Sequence, residues 1–179
     1  MSQSDSGVED ANVDTTLANE HPEPNVDVLA GILADGLVGA LGGFVGTSLM
    51  TVVFLVGASL GGFEMSSFGT TAELIGLDAV LGPEMVLAAG YVIFLGGGMT
   101  TWPLLFASIG RYLPGEDYAT AGLTYGFVLW TGFVLAFNVG YSGTALAVYV
   151  VLSLVAHLVY GFSMGSVFDY LGDRPDTLV

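Results

Sequence analysis

Four apolar runs, roughly Gly36–Leu60, Met85–Ile109, Ala119–Val139 and Ala145–Phe168, constrain this chain more than any other feature. Each approaches the ~20 residues that carry a helix across a ~30 Å hydrocarbon core at 1.5 Å per residue. Lipid offers no partner to a bare N–H or C=O, so a run of this length must close its own backbone bonds as a helix. The expected fold is all-α, a four-transmembrane-helix bundle over residues 34–172 in a cell membrane. A mean hydropathy of +0.75 and a charged share of only 11% agree with that solvent.

Residues 1–33 form a separate block of acids, Ser, Thr, Asn and Pro with almost nothing to bury, and are expected to be a disordered acidic tail. Residues 173–179 read as a short C-terminal tail. The N-terminal block lacks the cationic stretch of a signal peptide, so no removal is expected. His21, beside Pro22, reads as a solvated spacer.

Seventeen acids face two arginines, Arg111 and Arg174, giving a net charge of −15. That excludes a basic nucleic-acid-binding patch. Such an acid excess repels itself unless salt screens it, and at molar salt the Debye length falls to about 3 Å. A halophilic, salt-filled cytoplasm is the expectation. The absence of cysteine removes disulfides, thiolate metal sites, iron–sulfur clusters and cysteine nucleophiles. Arg111 follows the second run and Arg174 the fourth, and short loops with cations stay cytoplasmic, so both termini are expected there.

The connections differ in kind. GGFEMSSFGTTAELIGLDAVLGPE is too polar to span, although Phe63, Met65, Phe68, Leu74 and Ile75 would let a short piece lie in the interface. RYLPGEDYAT reads as a charged Pro-Gly turn and GYSGT as a tight hairpin. Glycine-rich faces should set the packing, because close van der Waals approach replaces the hydrophobic drive that lipid abolishes. Small pairs at four-residue spacing are Gly39 with Gly43, Gly42 with Gly46, Gly122 with Gly126, and Gly161 with Gly165.

Polar side chains inside the spans each need a partner. Thr47, Ser48, Thr51, Thr100, Thr101, Thr131 and His157 all fall near mid-membrane and form a candidate polar layer. Thr124, Thr131 and Asn138 recur at heptad spacing, while Ser153, His157, Gly161, Gly165 and Asp169 recur every four residues. Those two stripes are expected to face one another. Pro103 inside the second span should kink the helix and free a carbonyl near residue 99 for Thr100 or Thr101. A static kink fitted to a neighbour is the preferred reading, a hinge the alternative.

His157 has three readings. A structural donor needs only the Thr131 hydroxyl or a carbonyl across the bundle, and is preferred. A proton carrier needs neighbours, and Asp169 lies about three turns away along the helix. A haem ligand would be five-coordinate or shared between copies, since the spans hold no second histidine. The chain carries no phosphate loop, HExxH, nucleophile elbow or paired intramembrane carboxylates, so no catalytic, metal or cofactor residue is assigned. Glu64, Glu73, Asp78 and Glu84 in the first connection could hold a cation weakly or serve only as a solvated surface.

GTSLMTVVFLVG closing the first span, AAGYVIFLGGG in the second and AHLVYGFSMGSVFDYLG in the last resemble a haloarchaeal family of small four-helix membrane proteins, over residues 36–172. Some members are associated with haem–copper cytochrome oxidase genes. The resemblance implies a non-catalytic accessory or assembly subunit of a respiratory complex, with the bilayer and other membrane subunits or further copies as partners. Members often carry a histidine at the start of the second span, where this chain has Tyr91. A small oligomeric transporter using the polar layer is the rival reading; one protomer of this size encloses little aqueous lumen.

Overall fold

The computed structural model describes residues 26–172, all helices, turns and loops with no strand among them. In chain order the helices are α1 (Val26–Ser59), α2 (Gly69–Glu73), α3 (Pro83–Met99), α4 (Thr101–Ile109), α5 (Tyr118–Ala136) and α6 (Gly143–Gly172). Four segments are long and apolar enough to cross a membrane: Leu29–Ser59, Pro83–Tyr112, Tyr118–Ala136 and Gly143–Gly172. The fold is the expected four-span helical bundle, and α3 with α4 makes one broken span. Helix α1 begins at Val26, inside the block assigned to the tail by composition; Val26, Val28, Leu29, Ile32 and Leu33 give that segment enough apolar character to continue the helix. Residues 1–25, with His21, and 173–179, with Arg174, lie outside the described residues.

Glycine spacing explains the packing order. Gly42 and Gly46 of α1 lie against the Met164 and Tyr160 backbone of α6, while Gly39 and Gly43 point elsewhere, to Pro103 and the α3–α4 junction. One helix thus carries two notches for two neighbours. On the far side of α6 the approach is closer still: a methyl on Gly161 would run into the Gly122 carbonyl, one on Gly126 into the His157 carbonyl, and one on Gly165 into the Tyr118 carbonyl. Helix α6 is therefore the hub, packed on α1 and α5 along its length, whereas α3 and α4 pack on α1. Helix α3 packs mainly on α1, α2 and α4, and its contact with α5 is at most slight.

Helix α5 starts on a capping box in which Asp117 accepts from the Thr120 N–H at 2.8 Å and the Thr120 hydroxyl closes on the Asp117 backbone. Asp169 of α6 completes that end, its two carboxylate oxygens accepting from the Tyr118 and Ala119 N–H groups at 2.8 Å each. These donors have no partner within their own helix, and a carboxylate at a helix N-terminus also suits the helix dipole. The α5–α6 hairpin turns through Gly140 (φ 95°) and Gly143 (φ 55°), a backbone conformation that side chains disfavour.

The connection after α1 enters the bundle, contrary to a purely interfacial placement. Phe63 and Phe68 are buried among Phe54, Phe94 and Tyr91, and the Phe68 carbonyl sits where a Gly90 side chain would be. The Thr71 hydroxyl caps this contact, its one hydrogen shared between the Phe68 and Gly90 carbonyls. Only Leu74 and Ile75 of the five apolar residues singled out in this loop stay largely exposed, with Met65 partly buried. A Tyr141 hydroxyl accepting from the Glu64 N–H at 2.7 Å ties the loop to the α5–α6 hairpin.

Candidate intramembrane cavity

The break between α3 and α4 falls at Thr100 (φ −122°, ψ −69°), three residues before Pro103. Proline cannot donate to the carbonyl four residues back, so the helix ladder is interrupted there. The repair differs from the expectation. The Thr100 hydroxyl bonds the Gly96 carbonyl at 2.7 Å, and two tyrosines from other helices reach the junction instead. The Tyr160 hydroxyl of α6 donates to the Gly98 carbonyl at 2.9 Å, and the Tyr125 hydroxyl of α5 donates to the Trp102 carbonyl at 2.8 Å. Pro103 itself is buried in the notch beside Gly39 and Gly43. The kink is thus built into the packing.

Because α3 and α5 are not closely packed, a cavity of about 600 Å³ lies between them, within the usual size range of small-molecule sites. Its walls are mainly aromatic and aliphatic, with Phe94 and Trp102 on one side and Phe133 and Phe137 on the other. Thr71 and Leu74 of the first connection close one end. Trp102, Val128, Thr131 and Gly132 line it yet are themselves exposed, so the cavity opens sideways, where lipid would lie.

The proposed polar layer divides. Thr47, Thr101, Thr131 and His157 line the cavity. Ser48 and Thr51 instead bond carbonyls one turn back in α1, those of Phe44 (2.7 Å) and Thr47 (2.8 Å), and Thr100 does the same in its own span. The facing-stripe expectation holds only for α6, whose Ser153, His157, Gly161 and Gly165 are buried. On α5 the buried face is Ala119, Gly122, Gly126 and Phe133, whereas Thr131 and Asn138 are exposed and Thr124 is half-buried. The glycine face wins because it permits the closer approach.

His157 stands midway along α6 and is 4% exposed. Its expected partner, Thr131, is not its partner: the Thr131 hydroxyl donates to Val128 in its own helix at 2.7 Å. The His157 Nδ1 lies 2.8 Å from the Ser153 carbonyl, one turn back. A carbonyl only accepts, so Nδ1 carries the hydrogen and, in the neutral ring, Nε2 keeps a lone pair. The ring packs on Phe133 (centroids 4.7 Å) and Phe54 (6.3 Å), and the side chain faces the cavity. Ser153 is fixed in turn by the Trp130 Nε1–H at 3.0 Å.

Thr47, 1% exposed, carries the one buried side-chain polar atom without a hydrogen bond among the described residues; its hydroxyl is pressed against Gly98. An unpaired buried hydroxyl costs about 1–3 kcal/mol, so this wall is polar at a price in stability. Among the described residues no three of His, Cys, Asp or Glu gather closely enough to hold a metal ion, which includes Glu64, Glu73, Asp78 and Glu84. The tyrosines at the junction, Trp130 and Thr71 were not anticipated. Tyr125 and Tyr160 carried a signal, since a phenol in mid-span needs a partner just as a threonine does.

Fold and cavity together define a multi-pass helical membrane protein with a lateral intramembrane cavity. The chain belongs to the family of unknown function DUF6789, which matches residues 33–179. No curated protein and no solved structure matches it.

Proposed function

We propose that this chain is a non-catalytic accessory subunit of the membrane, and that its own contribution is to hold a lipid-soluble small molecule in the cavity between α3 and α5. The observation that carries the reading is the cavity's construction: about 600 Å³, walled by aromatic side chains, open sideways, with His157 on its wall. The glycine ridges draw α1 and α5 into backbone contact with α6, and this gap lies beside the broken span, away from the α5–α6 seam. The test is retention of a hydrophobic small molecule by the purified protein, read by native mass spectrometry. Gly132→Leu fills the cavity from a position where an added Cβ meets nothing within 4 Å, and is expected to abolish retention while leaving the bundle folded. Wild-type protein that retains no more than the variant would overturn the proposal.

The respiratory setting rests on the sequence resemblance. Deletion of the gene should impair cytochrome oxidase assembly, and native purification should bring down oxidase subunits; neither effect would remove that setting. Cytoplasmic termini rest on Arg111 and Arg174, and a halophilic source on the charge of −15. A transport reading is favoured by one feature, the broken span with its junction at the cavity, since broken helices line many transporter sites. Solute flux in proteoliposomes that Gly132→Leu blocks would support it.

A further inference from the structure

We infer that the occupant of the α3–α5 cavity is a neutral molecule with an aromatic hydroxyl head and a hydrocarbon tail, bound by donation of its O–H to Nε2 of His157. The inference rests on the proposed small-molecule binding and adds the chemistry of the ligand.

Each part of that description follows from a wall of the cavity. With Nδ1–H committed to the Ser153 carbonyl 2.8 Å away, the neutral imidazole presents a lone pair at Nε2, so its partner must donate. The aromatic rings packed against it, Phe54 and Phe133, supply no donor, and Nε2 is not among the fully enclosed atoms. A donor that arrives with the ligand therefore gives Nε2 a partner. No cationic side chain lines the cavity, so an anionic head would be buried without compensation. A cation fares no better, because no carboxylate lines it either. The head is therefore neutral. Phe94, Trp102, Phe133 and Phe137 give flat walls on both sides, which suit an aromatic ring over a plain alkyl alcohol. The lateral opening beside Val128 and Gly132 leads toward lipid and leaves a tail to lie among acyl chains.

The experiment uses the full chain in phospholipid nanodiscs and two probes, 4-nonylphenol and 4-nonylanisole, which differ in the donating hydrogen. Binding is read from tryptophan fluorescence, because Trp102 lines the cavity. Wild type is expected to prefer the phenol about five- to tenfold, the worth of one neutral hydrogen bond. His157→Phe keeps a flat ring without the lone pair and should bind both probes alike. His157→Gln restores an acceptor and should recover part of the preference, which a purely structural role for His157 would not produce. Gly132→Leu should exclude both probes. Equal binding of the two probes to wild type, lost in Gly132→Leu, would overturn the hydroxyl–histidine contact and leave small-molecule binding standing. Binding of neither probe, or a phenol preference that survives in a folded His157→Phe, would also overturn the inference; the former counts against the cavity reading as well.

Discussion

Gly161→Ala tests the packing logic most directly. The new Cβ would occupy the space of the Gly122 carbonyl and also meet the Gly126 amide nitrogen at 3.1 Å. Backbone atoms of a neighbouring helix cannot swing aside as a side chain would, so α5 and α6 must separate by about 1 Å at this point to restore ordinary contact. A gap of about 0.5–1 Å forfeits a quarter to a half of each dispersion contact along the seam. It also pulls Asp169 from the α5 N-terminus and Ser153 from the Trp130 indole, because both contacts span the same interface. The expected cost is about 3 kcal/mol, the upper end of the overpacking range. Gly132→Ala is the control, since its Cβ meets nothing within 4 Å. Gly122→Ala should cost about as much as Gly161→Ala, and the double variant less than their sum, because the first substitution has already parted the helices. Steric trapping or equilibrium unfolding in mild detergent measures all four. Gly161→Ala as stable as Gly132→Ala would refute the claim that this seam depends on backbone contact.

Tyr160→Phe removes the donor to the Gly98 carbonyl and should cost about 1 kcal/mol, with loosening of the α3–α4 junction visible as faster amide exchange there. Asp169→Ala strips both acceptors from the first turn of α5 and should cost about 1–2 kcal/mol, while Asp169→Asn, which keeps one acceptor, should cost about half as much by the same unfolding assay. The Asp117 carboxyl is held below its ordinary 3.8 by the Thr120 hydroxyl and then by the Thr120 N–H. A depressed carboxylate stabilises above the unfolded value and loses that contribution as pH falls through the folded one, so the Tm gap between wild type and Asp117→Ala should close below pH 3.8. Should the acid excess reflect a salt-rich cytoplasm, Tm should rise steadily between 0.1 and 2 M KCl, and a flat profile would remove that reading.

The spans were legible because lipid imposes one rule on the backbone, and no tertiary detail is needed to apply it. Glycine spacing was legible for the same reason: all eight glycines of the four-residue pairs sit at helix contacts, and on α1 the two overlapping pairs face two different partners. The threonines misled. A hydroxyl in a helix can bond the carbonyl one turn back, as Ser48, Thr51, Thr100 and Thr131 do, so its presence at mid-membrane says nothing about a partner across the bundle. His157 followed the same local route through the Ser153 carbonyl, and it lines the cavity. Spacing alone also could not reveal the cavity, because it is made where two helices pack loosely. Nor could it place Phe63 and Phe68 in the core, since a loop's polarity hides which of its aromatic residues fold inward.

The tyrosines explain how such a gap survives in a bundle otherwise drawn into backbone contact. Phenol groups from Tyr125 and Tyr160 reach across to the Trp102 and Gly98 carbonyls, and both rings are nearly fully buried. A tyrosine in that position acts as a strut: it ties the broken span to α5 and α6 and fixes the distance at which it is tied. The carbonyls they reach flank the break at Thr100 and Pro103, and a carbonyl has a second lone pair to accept with. The junction that Pro103 seats in the α1 notch therefore also carries the attachment points of both tyrosines. Packing on one face and spacing on the other come from the same local break, so the cavity is a consequence of how the bundle is assembled, and a substitution that straightened the span, such as Pro103→Ala, should narrow both the notch contact and the cavity together.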